Sequence, residues 1–207
     1  EVPQGSCGMG HTRWATHGRP SDLNAHPHTD CTGDIVLVHN GIFENYSEVK
    51  AALVADGHVM VSETDTEVLA HLIESNYDDD LAEAVRKSIR MVRGSYAIVV
   101  MNSREPGRIV AAKKDSPLIA GRGVGENYIA SDIPAILPYT REVYIIEDGE
   151  VVDMTKDELK FTRIDGSTVT KAPMTVTWSM EAAEKGGYNH FMLKEIHEQP
   201  RALRETL

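Results

Sequence analysis

Cysteine is scarce in this chain, with Cys7 and Cys31 the only two among 207 residues. That excludes a disulfide framework and is the usage expected in a reducing cytoplasm. Basic residues are also in the minority, 21 Lys and Arg against 32 Asp and Glu, for a net charge of -11. A chain with that balance lacks the basic face that phosphate contacts require, so no nucleic-acid partner is expected. An anionic membrane surface is disfavoured for the same reason. There is no apolar run long enough to cross a bilayer, no signal peptide, no internal repeat and no low-complexity tract. What is present is ordinary globular composition, 41% hydrophobic and 26% charged, in a length that makes one large domain or two small ones. Both ends read as cuts in a longer polypeptide. The chain opens on "EVPQGSCGMG" without an initiator Met and ends inside the polar, helical-looking "KEIHEQPRALRETL".

Local patterns give an outline of the elements. "IVLVHNGIF" reads as a buried strand, Ile35 to Val38, running into a turn at Asn40-Gly41. Thr64 with Glu67 has capping-box spacing, and Val68, Leu69, Leu72 and Ile73 follow on one helical face. Asp80 with Glu83 repeats the signal ahead of Leu81, Ala84, Val85, Ile89 and Val92. Two consecutive amphipathic helices are therefore expected between Thr64 and Val92. "SYAIVVMNS", "RIVAAKKD", "PLIAGRG" and "NYIASD" read as strands. "VYIIEDGEVVDM" and "LKFTRIDGSTVT" read as hairpins turning at Asp148-Gly149 and Asp165-Gly166. Helices beside hairpin-joined strands make an α+β fold with mostly antiparallel sheet. The segment after Trp178, broken at Gly186-Gly187, reads as helical or irregular, a linker or an interface.

The stretch "GHTRWATHGRP" holds Arg13, Trp14, Thr16 and two histidines, His11 and His17, in seven residues. Neither face of a strand with that sequence is a clean core face. A guanidinium matches a carboxylate in bidentate fashion, and a carboxylate such as Asp65 holds an ammonium, so the pair could grip an α-amino acid by both ends. Spacing alone favours the plainer alternative, an Arg–Asp surface pair of little energetic weight. Asn40 and Gly41 could aim a side-chain amide and a backbone N–H at one spot, as an oxyanion hole requires, or could simply form a tight turn. His11, His17, His26 and His28 fit no familiar zinc spacing and read as hydrogen-bonded structural histidines, so no metal and no organic cofactor is expected. "GRGVGENY" reads as a strand-connecting loop because no helix follows it. Nothing beside Cys7 marks an activated thiol, and it reads as a small half-buried strand residue.

In order along the chain, "HTRWATHG", "VHNGIFEN", "SETDTEV", "RGSYAIVV", "GENYIASD" and "YNHFMLKEIHEQP" resemble the glutaminase domain of the glutamine–fructose-6-phosphate aminotransferase (isomerising) family. These are class II glutamine amidotransferases of the N-terminal-nucleophile hydrolase superfamily. The resemblance implies a four-layer αββα sandwich that lacks its opening strand and helix. It assigns 1–190 to the glutaminase domain and 191–207 to the start of a linker toward a sugar-phosphate isomerase domain. The implied activity is hydrolysis of L-glutamine to glutamate and ammonia, for synthesis of glucosamine 6-phosphate from fructose 6-phosphate, by a cytoplasmic homodimer. By the same resemblance, Arg13 binds the α-carboxylate and Asp65 the α-ammonium. Thr16 and His17 add hydrogen bonds, Trp14 helps to cover the pocket or gates ammonia passage, and Asn40 and Gly41 form the oxyanion hole.

One departure stands out. Members of the family attack the amide with an N-terminal cysteine whose own α-amine is the general base. This chain opens on Glu1, and neither Cys7 nor Cys31 matches that position. The 207 residues are therefore expected to be inactive alone, with an inner sheet edge and apolar surface exposed. Two rival readings are another class II amidotransferase and a non-catalytic amino-acid-binding module.

Overall fold

A computed structural model describes residues 5–13, 17–177 and 186–206 of the chain. Eleven strands, three helices and a 3-10 turn form the body among these residues, and a fourth helix ends it. In chain order they are β1 (His28–Thr29), β2 (Ile35–Phe43), α1 (Tyr46–Ala55), α2 (Asp65–Asn76), α3 (Leu81–Ile89), β3 (Gly94–Asn102), β4 (Ile109–Lys114), β5 (Ile119–Arg122) and β6 (Asn127–Ala130). The turn Ile133–Ala135 follows, then β7 (Glu142–Ile145), β8 (Glu150–Met154), β9 (Leu159–Arg163), β10 (Thr168–Val169), β11 (Met174–Thr175) and α4 (Phe191–Thr206).

The strands make two antiparallel sheets. One has seven strands in the order β1-β2-β3-β4-β8-β9-β10, the other four in the order β11-β7-β5-β6. Period-2 alternation assigns each strand's side chains to a layer. In β3 and β4, Ile98, Val100, Val110 and Ala112 face the helices, where they join Val68, Leu69, Leu72, Ile73, Leu81 and Val85. The intervening Ala97, Ile109 and Ala111 face the second sheet and meet Leu118, Ala120, Tyr144 and Ile146. The far side of the second sheet packs Ile119 and Val143 against Ile136, Leu137 and Val176. This is a layered α+β sandwich, as the resemblance implied. Each fully buried Leu, Ile or Val of the helix–sheet layer contributes about 1.5–3 kcal/mol.

The expected helices are α2 and α3. The side chain of Thr64 accepts from Glu67 N at 3.2 Å, and Asp80 caps α3 by accepting from Ala82 N at 3.0 Å. Only half of the capping box forms, because the Glu67 carboxylate instead takes the N–H groups of Val61 and Ser62, each at 2.7 Å. Helix α1 has no counterpart in the sequence reading. Its buried face is just Val49 and Leu53, too sparse a stripe to signal a helix. A Schellman motif ends it: Gly57 at φ +97° donates to Val54 O at 3.1 Å and His58 N donates to Leu53 O at 3.0 Å.

Two expectations are corrected. Asn40-Gly41 makes no turn, because β2 runs unbroken from Ile35 to Phe43 and pairs with β3 along its whole length. At Gly41, φ is +141° and a Cβ would lie 2.1 Å from Ser95 O, so glycine is required for strand approach rather than for reversal. The Asp148-Gly149 turn makes no hairpin, since β7 lies in the four-stranded sheet while β8 pairs with β4 and β9 in the other. Asp148 accepts from Asp115 N at 3.0 Å and pairs with Lys113 Nζ at 2.6 Å, which pins the turn to the end of β4 as the chain crosses between sheets. The Asp165-Gly166 hairpin forms as expected, joining β9 to β10, and "GRGVGENY" is the loop between β5 and β6. Of the C-terminal segment, 178–185 lie outside the described residues, and Phe191–Thr206 is helical with Pro200 inside it.

Candidate active site

Helix α2 starts where strand β2 ends, and the link is a single carboxylate. Asp65, the first residue of α2, is buried and its Oδ2 accepts from Phe43 N at 3.0 Å. A negative charge at a helix N-terminus is favoured by the backbone dipole. Its Oδ1 accepts from Thr66 Oγ1 at 3.4 Å, and His17 Nδ1 stands 3.8 Å from Oδ2.

These groups border a cavity of about 380 Å3 lined by Arg13, His17, His26, His39, Asn40, Gly41, Ile42, Asp65, Thr66 and Ser95, among others. Its size falls in the range of roughly 300–1,000 Å3 typical of small-molecule sites. Sequence reading named Arg13, His17, Asn40, Gly41 and Asp65 from three distant segments, and the fold brings all five to this one cavity. Trp14 and Thr16 lie outside the described residues.

Arg13 sits at φ +42°, and its guanidinium donates to the carbonyls of His17 at 2.9 Å, Gly18 at 3.1 Å and Arg19 at 3.3 Å. The carbonyls hold it away from Asp65, so no direct Arg13–Asp65 pair forms among the described residues. His11 Nδ1 accepts from Arg13 N at 2.9 Å, which leaves Nε2 as the protonated nitrogen. That nitrogen donates to Asn40 Oδ1 at 2.7 Å, and Asn40 Nδ2 in turn reaches Ser131 Oγ at 3.2 Å. Asn40 therefore keeps its N–H groups on the side away from His11.

Thr66 Oγ1 is the centre of a second network, 3.2 Å from His39 Nδ1 and 3.3 Å from His26 Nε2. His28 Nε2 bonds Thr64 Oγ1 at 3.0 Å. Burial pushes His26, His28 and His39 down, and nearby His11, His28, His39 and Arg13 help bring His26 to about 3. These three rings are neutral at pH 7, and Arg13 and Asp65 bring one cation and one anion to the cavity. Among the described residues, His17 Nδ1 and His39 Nε2 are buried ring nitrogens without a hydrogen-bond partner. His26, His39, Thr64, Thr66 and Ser95 were not expected at the site. Thr64 and Thr66 sit inside the quoted "SETDTEV", and His39 inside "VHNGIFEN", so the signal was proximity to the named residues.

A second cavity of about 650 Å3 continues from Arg13, His39 and Asn40 into the space between the sheets. Its walls are Val38, Ala97 and Val99 on one side and Leu118 and Ile129 on the other. Cys7 lies elsewhere, on a cavity with Gly107 and Tyr128, and burial pushes its thiol up. It is half-buried as expected but is not in a strand.

The family model for a glutamine amidotransferase domain matches residues 11–138. The glutamine–fructose-6-phosphate aminotransferase (isomerising) of Thermus thermophilus is 56% identical over 204 residues, covering 99% of this chain and 34% of its own. The enzyme of the same name from Symbiobacterium thermophilum is 57% identical over 207 residues, covering 100% and 34%. The chain thus spans about a third of the length of the curated relatives it matches. Among solved structures, the glutamine phosphoribosylpyrophosphate amidotransferase of B. subtilis is similar at 27% identity with a TM-score of 0.62, over 76% of this chain and 35% of that one. With two sheets, a polar cavity at the β2–α2 junction and a family match over more than half its length, the chain belongs to the glutamine amidotransferase domain family.

Proposed function

We propose that this chain is the glutaminase part of a glutamine–fructose-6-phosphate aminotransferase and that the 380 Å3 cavity binds L-glutamine. The observation that carries the reading is the convergence of Arg13, Asp65, Asn40 and Gly41, one cation, one anion and two amide donors, on a single pocket. The α-ammonium pairs with Asp65, whose remaining acceptor positions are engaged by Phe43 N and Thr66. The α-carboxylate pairs with Arg13, which exchanges part of its carbonyl contacts for a bidentate one. The side-chain amide then extends toward Asn40 and Gly41. There Asn40 Nδ2 and the Gly41 N–H stabilise the negative charge that develops on the carbonyl oxygen, an effect of about 2.7–4 kcal/mol per donor. His11 orients the first of these donors.

Neither thiol of this chain borders the pocket, so the attacking thiol comes from outside these residues. The inter-sheet cavity beside Asn40 is the approach open to it. Attack on the amide carbon and loss of ammonia leaves a thioester, which water hydrolyses to glutamate. We further propose that ammonia passes to a sugar-phosphate isomerase domain of the same polypeptide, that the full protein is a homodimer, and that it works in the cytoplasm. Among the described residues no helix is long and apolar enough to cross a membrane.

The test is glutamate and ammonia release by the full-length polypeptide, with and without fructose 6-phosphate. Glucosamine 6-phosphate as product supports the reading. Transfer of ammonia to a phosphoribosyl acceptor instead would assign the chain to another class II amidotransferase. Glutamine binding with no turnover would make it a binding module.

A further inference from the structure

On the far side of α2 from Asp65's end, four side chains point at one another. They are Cys31, from the loop before β2, His58, just past the Schellman end of α1, and His71 and Glu74, one turn apart on α2. Their ligand atoms all lie within 4.8 Å of one another. Cys31 Sγ is 3.6 Å from His58 Nδ1 and 3.3 Å from His71 Nδ1. The two Nδ1 atoms are 3.2 Å apart. Glu74 Oε2 is 3.1 Å from His58 Nδ1 and 3.4 Å from His71 Nδ1.

Around a tetrahedral zinc ion, with Zn–S about 2.3 Å and Zn–N or Zn–O about 2.0–2.2 Å, neighbouring ligand atoms stand roughly 3.3–3.6 Å apart. The five measured separations run from 3.1 to 3.6 Å and cover that range. Pairwise hydrogen bonding does not demand such an arrangement. A proton satisfies one donor and one acceptor, whereas here each ring nitrogen faces three partners at once. The charges also balance, since a thiolate and a carboxylate with two neutral imidazoles carry the two negative charges that a divalent cation neutralises.

The surroundings are built to hold this geometry. His71 is buried, and its other ring nitrogen, Nε2, lies 3.7 Å from Glu67 Oε1. A carboxylate behind a ligating histidine fixes the ring and its tautomer. Glu67 is itself anchored by Val61 N, Ser62 N and Ser62 Oγ, each at 2.7 Å. Cys31 N donates to Glu74 Oε2 at 3.2 Å, which fastens the loop to the helix.

We propose that Cys31, His58, His71 and Glu74 form a structural zinc site. All four positions are filled by protein, which leaves no open position for water or substrate and separates the site from catalytic zinc centres. Its effect is to tie three segments around α2. The helix presents Asp65 and Thr66 to the glutamine pocket six and five residues before His71, about 9 Å along its axis. The loop that carries Cys31 leads into β2, which presents Asn40 and Gly41. The ion therefore clamps together the two elements whose junction is the active site. Ligand spacings of 27, 13 and 3 residues explain why no sequence pattern revealed it.

The experiment is zinc content by mass spectrometry of the full-length polypeptide, purified without chelator, beside its Cys31→Ser and His58→Gln variants. Wild type is expected to carry one zinc equivalent that each variant loses. Metal-free wild type reloaded with Co2+ is expected to show a near-ultraviolet thiolate-to-cobalt charge-transfer band and the intense visible bands of tetrahedral cobalt. Chelation is expected to lower the Tm of wild type by several degrees and leave that of Cys31→Ser unchanged. Equal zinc content in wild type and Cys31→Ser overturns the proposal. So does a cobalt spectrum without the thiolate band, a result that needs no variant to fold. Cys31 is exposed, so its replacement by serine leaves the core untouched.

Discussion

His11 Nε2 donates to Asn40 Oδ1 at 2.7 Å, while Asn40 Nδ2 points to Ser131 Oγ at 3.2 Å. One imidazole therefore decides which way an amide faces, and the amide is the side-chain donor of the proposed oxyanion hole. In the full-length enzyme, Asn40→Ala is expected to lower kcat for glutamine hydrolysis by about 10²–10³-fold, with a smaller effect on KM. His11→Ala removes only the orientation, so a loss of roughly tenfold is expected. Steady-state kinetics of the two variants and of the double variant provide the check. Additive losses would mean that His11 acts independently of Asn40.

Asp65→Asn keeps the shape of the side chain and an acceptor for Phe43 N, and removes the charge. A charge-assisted hydrogen bond is worth about 1.5–3 kcal/mol, so the KM for glutamine is expected to rise by roughly 10–100-fold. The sharper readout is a substrate that lacks the α-amino group, 4-carbamoylbutanoate. Wild type should discriminate against it, and the variant should lose most of that discrimination. Unchanged discrimination would place the ammonium elsewhere.

At Gly41 a Cβ would meet Ser95 O at 2.1 Å and Tyr96 Cα at 2.9 Å, both backbone atoms of the neighbouring strand. The clash cannot be relieved by turning a side chain, and φ of +141° is unfavourable for alanine. Gly41→Ala is expected to cost about 3 kcal/mol or more, a magnitude reserved for strained backbone and core disruption. Denaturant unfolding measures it. By contrast, Gly33→Ala, where a Cβ meets nothing within 4 Å but φ is +76°, should cost only about 1 kcal/mol.

Stability should also depend on pH in a definite direction. Burial holds His26 at about 3 in the folded chain, against 6.5 when unfolded, and holds His28 and His39 down as well. Below 6.5 the unfolded chain takes up protons that the folded chain refuses, so stability falls as pH drops from about 6.5 toward 3. Above 6.5 both states are neutral at these rings and their contribution is flat. The Tm is expected to decline across the acid range, and less steeply in His26→Gln. A Tm that rises on acidification from about pH 7 to about pH 5 would contradict the assignment.

Much of the outline was legible from local pattern. The stripes at Val68–Ile73 and Leu81–Val92 read correctly as α2 and α3, because a buried helix face repeats every three to four residues wherever the helix lies. The apolar runs at β3, β4, β5 and β6 read correctly as strands. Where reading failed, the deciding partner was distant in sequence. Asn40-Gly41 is a turn dipeptide by local preference, but pairing with Ala97 and Tyr96 keeps it in a strand. Asp148-Gly149 is a hairpin dipeptide, but Lys113 and Asp115 hold it where the chain changes sheets.

Chain order and residue type were enough for the composition class, for the alternation that sorts side chains into layers, and for the groups able to grip an amino acid. They also put Arg13, Asn40, Gly41 and Asp65 in quotable motifs. Folding was needed to bring these four to one cavity, to let His11 aim Asn40, and to make Cys31, His58, His71 and Glu74 converge. The reason is geometric. Periodicity reports which face of an element is buried, because burial acts on each element separately. A site is a set of distances between elements, and those are set by how β2 and α2 meet in the folded chain.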